Sequence, residues 1–185
     1  MQVCFPDQKS ILDSTYGRGN FWPKDQRDAI VGVDINPVRA KDILCADFTR
    51  LPFADNAFDI TVFDPPYVSN MGKGKPSVMG SQFGSFASLG ELESTVRAGT
   101  REAWRVSRLG VIVKIQDHIR SGRLMRMSRW VEEEIPVPLY DEMHVMQQRK
   151  LVDPKWGDEQ LSIYRNHSTY MVFVKGSQYH RRRSS

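Results

Sequence analysis

At 185 residues, with 40% hydrophobic and 26% charged residues, the chain reads as one soluble domain spanning 1–185, large enough for a real core. A formal charge of +4 favours an anionic partner such as nucleic acid, and no apolar run reaches the roughly 18 residues of a membrane span. Cys4 and Cys45 give neither a metal-ligand spacing nor a disulfide framework, and no basic-then-apolar leader opens the chain, which together point to a reducing cytoplasm. In chain order, Ile11-Leu12-Asp13 starts an apolar strand that runs into Ser14-Thr15-Tyr16-Gly17-Arg18-Gly19. Glycines two apart after such a strand allow a sharp backbone turn and the close approach of a ligand. Residues 30–34 form a second short strand ending on Asp34, with Asn36-Pro37 opening a helix. The spacing from Gly17 to Asp34 suits a carboxylate that accepts hydrogen bonds from a ribose. Ile43 to Phe48 repeats the theme and ends on Asp47.

The run Phe58-Asp59-Ile60-Thr61-Val62-Phe63 is a buried strand, rich in β-branched and aromatic residues. It must stop at Asp64, because Pro65 and Pro66 each fix φ and neither has an amide hydrogen for a ladder. Four apolar runs thus end on Asp13, Asp34, Asp47 and Asp64, the rhythm of a parallel α/β sheet whose ligand lies beyond the carboxyl ends of its strands. Residues 68–90 are glycine-rich, carry Lys73 and Lys75, and read as a mobile loop over that edge. A helix over 91–108 buries Leu92, Val96, Ala103 and Val106, and carries Arg97, Arg101, Arg105 and Arg108 at helical spacing. After a strand over 109–115, a second helix is expected over about 119–134, carrying Arg120, Arg123, Arg126 and Arg129. Between residues 97 and 130 there are nine basic residues and two acidic ones. Either stripe could meet phosphates, Arg97 and Arg120 lying nearest the ligand edge, although solvated helix faces are commoner. Two late strands, over 143–147 and 169–175, joined by a polar loop, suit an antiparallel hairpin at the sheet edge, before a basic tail at 180–185.

These residues resemble the amino-methylating DNA branch of the class I S-adenosylmethionine-dependent methyltransferases. Asp64-Pro65-Pro66-Tyr67 is similar to its D-P-P-Y catalytic motif, and Asp13 to Gly19 resembles its D-x-F-x-G-x-G cofactor turn with the aromatic position blurred between Thr15 and Tyr16. The resemblance implies a Rossmann-like, seven-stranded, mostly parallel sheet with the last strand antiparallel and helices on both faces. It implies S-adenosylmethionine as methyl donor, held by Asp13, Tyr16, Gly17, Gly19, Asp34, Ile35, Asp47, Phe48 and Asp64, and no metal. It implies methylation of the exocyclic N6 amine of adenine, with Asp64, Pro65, Pro66 and Tyr67 catalytic. DNA stands ahead of RNA as the substrate, with Lys73, Lys75, Arg97 and Arg120 as candidate contacts. No block of residues forms a separate target-recognition domain, so readout falls to 68–90, to 152–167 or to a partner subunit. An RNA adenine-N6 methyltransferase, or a non-catalytic cofactor- or nucleic-acid-binding subunit of a larger assembly, are the alternative expectations.

Overall fold

The computed structural model describes residues 5, 8–36, 43–66, 86, 88–120, 123–146 and 167–176. Its strands are β1 (Ile11–Asp13), β2 (Ile30–Asp34), β3 (Leu44–Cys45), β4 (Phe58–Phe63), β5 (Ser107–Ile115), β6 (His118–Arg120), β7 (Arg123–Met125), β8 (Asp141–Met146) and β9 (His167–Val174). Its α-helices are α1 (Leu89–Val106) and α2 (Met127–Glu134). Seven strands form one sheet in the order β3-β2-β1-β4-β5-β9-β8. The first five are mutually parallel, β9 runs antiparallel to β5, and β8 runs antiparallel to β9. This is the Rossmann-like, mostly parallel sheet with an antiparallel last strand that the residues led us to expect.

The sheet is central because β4 is buried at every position, a pattern a strand shows only when both faces are covered. Alternation along the strands divides the core. Phe63, Val111, Val113, Ile115, Met171 and Phe173 face α1 and α2 through Leu92, Val96, Met127 and Val131. Ile60, Val62, Ile112 and Val172 face the other way, onto Phe5 and Trp22. Both described α-helices therefore lie on one face. Helical cover on the second face is not among the described residues, and the helix anticipated after Asn36 lies outside them. The crossover from β1 to β2 is a turn followed by a 3-10 helix, Lys24–Ala29, with no buried residue. Gly17, Gly19 and Pro23 leave too little helix-forming sequence there for an amphipathic helix.

Helix α1 begins where Ser88 caps it, its Oγ accepting from the Glu91 amide at 3.0 Å in a Ser-x-x-Glu arrangement. It buries Leu92, Val96, Ala103 and Val106, the face anticipated from periodicity. The second helix is shorter than anticipated. His118–Arg120 and Arg123–Met125 pair as the antiparallel strands β6 and β7, with Arg120 opposite Arg123, and of the described residues in this stretch only Met127–Glu134 is helical. Ser121-Gly122 is a turn signal in the middle of the arginine spacing, and it outweighs the helical period. Asp117 fixes the start of α2 by accepting from the Ser128 amide at 2.9 Å and its hydroxyl at 3.1 Å. Among the described residues no helix is long and apolar enough to cross a membrane.

Candidate functional site

The strand register brings the acids together on one edge. Asp13 pairs with Gly32 on β2 and with Val62 on β4, so Asp34 and Asp64 each lie two residues past its level. Asp34 in turn pairs with Cys45, which puts Asp47 two residues beyond that pair. The carboxyl ends of β1 to β4 thus present Asp47, Asp34, Asp13 and Asp64 in sheet order.

The turn after β1 is tied down from several sides. The Ser14 amide donates to the Val62 carbonyl at 3.0 Å, and the Tyr16 amide to the Val33 carbonyl at 2.9 Å. Asp13 is almost completely buried; its Oδ2 accepts from the Trp22 indole at 2.6 Å and its Oδ1 from the Thr15 amide at 3.0 Å. Burial pushes its pKa up to about 6, against the lowering effect of those two bonds. Both oxygens of Asp13 thus serve the turn itself. Gly17 and Gly19 have φ of +56° and +68°, a region that side chains rarely adopt. The Tyr16 ring lies between Gly19 and Gly32: a Cβ on Gly32 would come within 2.7 Å of the ring, so the glycine permits this approach.

Asp34 turns back on its own loop, its Oδ1 accepting from the Asn36 amide at 2.7 Å, while Ile35 beside it is 67% exposed. Asp47 accepts from the Thr49 amide and hydroxyl, both at 2.8 Å. Phe48 packs against Phe63, ring centroids 5.3 Å apart, and forms a half-buried apolar wall beside the edge.

At the end of β4, the Asp64 amide donates to the Thr15 hydroxyl at 2.8 Å, so the glycine turn and the Asp64-Pro65-Pro66 segment are joined directly. Lys114 of β5 donates to Asp64 Oδ2 at 2.5 Å. Among the described residues, Asp64 Oδ1 and the Pro65 carbonyl accept no hydrogen bond. Burial raises the Asp64 pKa, and the Lys114 charge and hydrogen bond oppose that rise. Tyr170 of β9 stands opposite Lys114 in the register, its phenol raised by burial and by Asp64 against the pull of Lys114. Lys114, Thr15, Trp22 and Tyr170 were not singled out from the sequence. A lone cation within the apolar run Val111-Ile112-Val113-Lys114-Ile115 is the signal that marks Lys114.

Tyr67, Lys73 and Lys75 lie outside the described residues. Arg120 is on β6 rather than on a helix. The arginines expected as a basic stripe over 91–108 have carboxylate partners, and the last of them, Arg108, lies on β5 rather than on α1. Arg97 donates to Glu93, Glu133 and Glu134, clamping α1 to α2, and Arg101 joins Glu134. Arg105 is taken by Glu102 and Asp55, and Arg108 by Asp59. Carboxylates thus engage all four, and a phosphate would have to displace them. By contrast Arg123 and Arg126 are exposed and, among the described residues, have no carboxylate partner.

No protein-family model and no curated protein sequence matches the chain. Solved structures do. A SAM-dependent methyltransferase from Methanosarcina mazei matches with a TM-score of 0.57 at 10% identity, over 94% of this chain and 95% of that one. The chain has the class I methyltransferase fold. The [4+2]-cyclase SpnF shares that fold at a TM-score of 0.56 and 15% identity, over 94% of this chain and 77% of its own. A Haloferax volcanii methyltransferase candidate, in complex with the Trm112 methyltransferase activator, matches at 0.54 and 11% identity, over 96% and 88% of the two chains. One methyltransferase fold therefore carries different chemistries, and the activity must be argued from the site.

Proposed function

We propose that the chain is an S-adenosylmethionine-dependent methyltransferase acting on the exocyclic N6 amine of adenine in DNA. The observation that carries this reading is the end of β4, where Asp64 Oδ1 and the carbonyl of the next residue, Pro65, accept no hydrogen bond among the described residues. An exocyclic base amine is a poor nucleophile because its lone pair is delocalised into the ring. Two acceptors at Asp64 and Pro65 take its two N–H bonds and favour the pyramidal nitrogen of the transition state over the flat ground state. Tyr67, two residues after Pro65, is assigned to stack on the base.

The neighbouring residues fit the cofactor. The glycine turn leaves room for a ligand's backbone approach, Asp34 offers a carboxylate to a ribose, and the exposed Ile35 with Phe48 offers apolar surface to an adenine. Asp47, Tyr16, Gly17 and Gly19 complete that set, and Asp13 contributes by holding the turn through Trp22 and Thr15. When bound, S-adenosylmethionine supplies an electrophilic methyl group on a sulfonium. With that group bound, Asp64 and Pro65 would hold the amine with its lone pair facing the methyl carbon and leave its surplus proton to water. Alignment of the two reactants by the Thr15–Asp64 junction supplies much of the rate. A paired base must first leave the duplex.

Nucleic-acid contact is assigned to the β6–β7 hairpin, with Arg120, Arg123 and Arg126, and to Lys73 and Lys75. Charge reversal by Arg123→Glu with Arg126→Glu is expected to lower the slope of log affinity against log salt by about 2 for duplex DNA. The same reversal at Arg101 is expected to leave that slope unchanged; fluorescence anisotropy across a salt series checks both. The activity itself is tested by mass spectrometry of nucleosides after incubating the protein with S-adenosylmethionine and DNA or RNA. N6-methyldeoxyadenosine supports the reading. Product in RNA alone moves the substrate to RNA, and no product in either polymer overturns the reading.

A further inference from the structure

We propose that Lys114 is a positioning residue for the amine-binding carboxylate: its ammonium holds Asp64 Oδ2, keeps the carboxylate ionised and leaves Oδ1 to the substrate amine. This rests on the role assigned to Asp64 above. The geometry is specific. Val113 pairs with Phe63 across β5 and β4, so the next residue on each strand, Lys114 and Asp64, meet at the sheet edge with Nζ and Oδ2 2.5 Å apart. The two side chains are 21% and 25% exposed, so water screens them little.

The surroundings explain why a cation is needed there. Among the described residues, Asp13 on β1 and Tyr170 on β9 are the other titratable groups that act on Asp64, and neither is positive. Two carboxylates in a desolvated site with no cation retain a proton between them. A protonated Asp64 would offer a donor where the amine presents its own N–H, and one of the two acceptors would be lost. Lys114 also fixes which oxygen is free. With Oδ2 held from the β5 side and the amide held by Thr15, the carboxylate has one orientation rather than a choice of two.

The test compares wild type with Lys114→Met and Lys114→Arg. Lys114→Met is expected to move the acid limb of kcat/KM upward by about 1–3 pH units, the effect of one opposite charge at this range. Activity in that variant should recover as the pH rises, and Lys114→Arg should keep the limb near its wild-type position. S-adenosylmethionine affinity at neutral pH serves as the folding control. A direct readout is the carboxyl carbon resonance of Asp64 in aspartate-labelled protein, assigned with Asp64→Asn. Its titration midpoint should rise in Lys114→Met. An unchanged midpoint, or an unchanged acid limb in an active variant, overturns the proposal. Because the resonance is read without turnover, it separates this inference from the proposed activity: a protein that methylates nothing can still show the midpoint move.

Discussion

Asp64→Ala is expected to lower kcat for methyl transfer by about 10²–10³-fold while S-adenosylmethionine still binds. The magnitude is that of removing one preorganised group that acts on charge developing in the transition state. Cofactor binding survives because the glycine turn, Asp34, Ile35 and Phe48 lie on other strands, and because the Thr15 hydroxyl meets the Asp64 backbone rather than its side chain. The substitution also removes the Lys114–Asp64 ion pair, which is expected to lower stability. A double variant, Asp64→Ala with Lys114→Met, removes both charges and should recover much of that stability but none of the activity. Thermal melting, calorimetric titration of the cofactor and single-turnover kinetics separate the two effects. Near-wild-type kcat in Asp64→Ala would remove Asp64 from the mechanism.

The second large effect is a dependence of stability on pH that comes from Asp13. Its carboxyl titrates at about 6 in the folded protein against 3.8 for the ordinary group. The folded state therefore holds this proton more tightly than the unfolded state does. The contribution favours folding most below about pH 4, fades as the pH rises toward about 6, and is flat above that. The raise corresponds to about 3 kcal/mol. Other groups act elsewhere or oppositely. Asp59, Glu102 and Glu134 sit below the ordinary carboxylate range, so their contributions are lost only in stronger acid. Burial lowers the His118 pKa, which adds stability as the pH rises through the ordinary histidine range. The Asp13→Asn variant isolates the term. It should flatten the fall in the urea midpoint between about pH 4 and about pH 6. An identical pH profile in wild type and variant would show that Asp13 does not carry the effect.

What the sequence made legible was what local chemistry decides. The bounds of β2 and β4 follow from continuous apolar runs stopped by Asp34 and by Pro65, and the buried face of α1 follows from its period. The order of acids along the edge followed once the strands were parallel. What was illegible depends on partners far along the chain. The partners of Arg97 could not be read locally, because Glu133 and Glu134 reach it from α2. Lys114 acquired its meaning only from the pairing of β5 with β4, fifty residues apart. The pairing of β6 with β7 was hidden by arginines at positions 120, 123, 126 and 129, whose spacing of three imitates a helix while the Ser121-Gly122 turn signal breaks that pattern. Trp22 gave no sign in sequence that its indole would seal the one carboxylate that the sheet buries most deeply on this edge.

The placement of β9 has a consequence for how the molecule comes into being. β8 bonds to β9, and β9 alone connects it to β5 and the rest of the sheet. During synthesis β8 emerges first and has nowhere to dock until residues 167–174 follow it out of the ribosome. Until then Met143, Val145 and Met146 belong to a strand without a neighbour, and Phe173 and Met171 are missing from the core that α1 and α2 close. The last described strand to be made is thus the one that fills the gap between β5 and the edge strand β8. A nascent chain halted before it would hold every acid of the candidate site and still lack the packing that supports Lys114 from the β9 side.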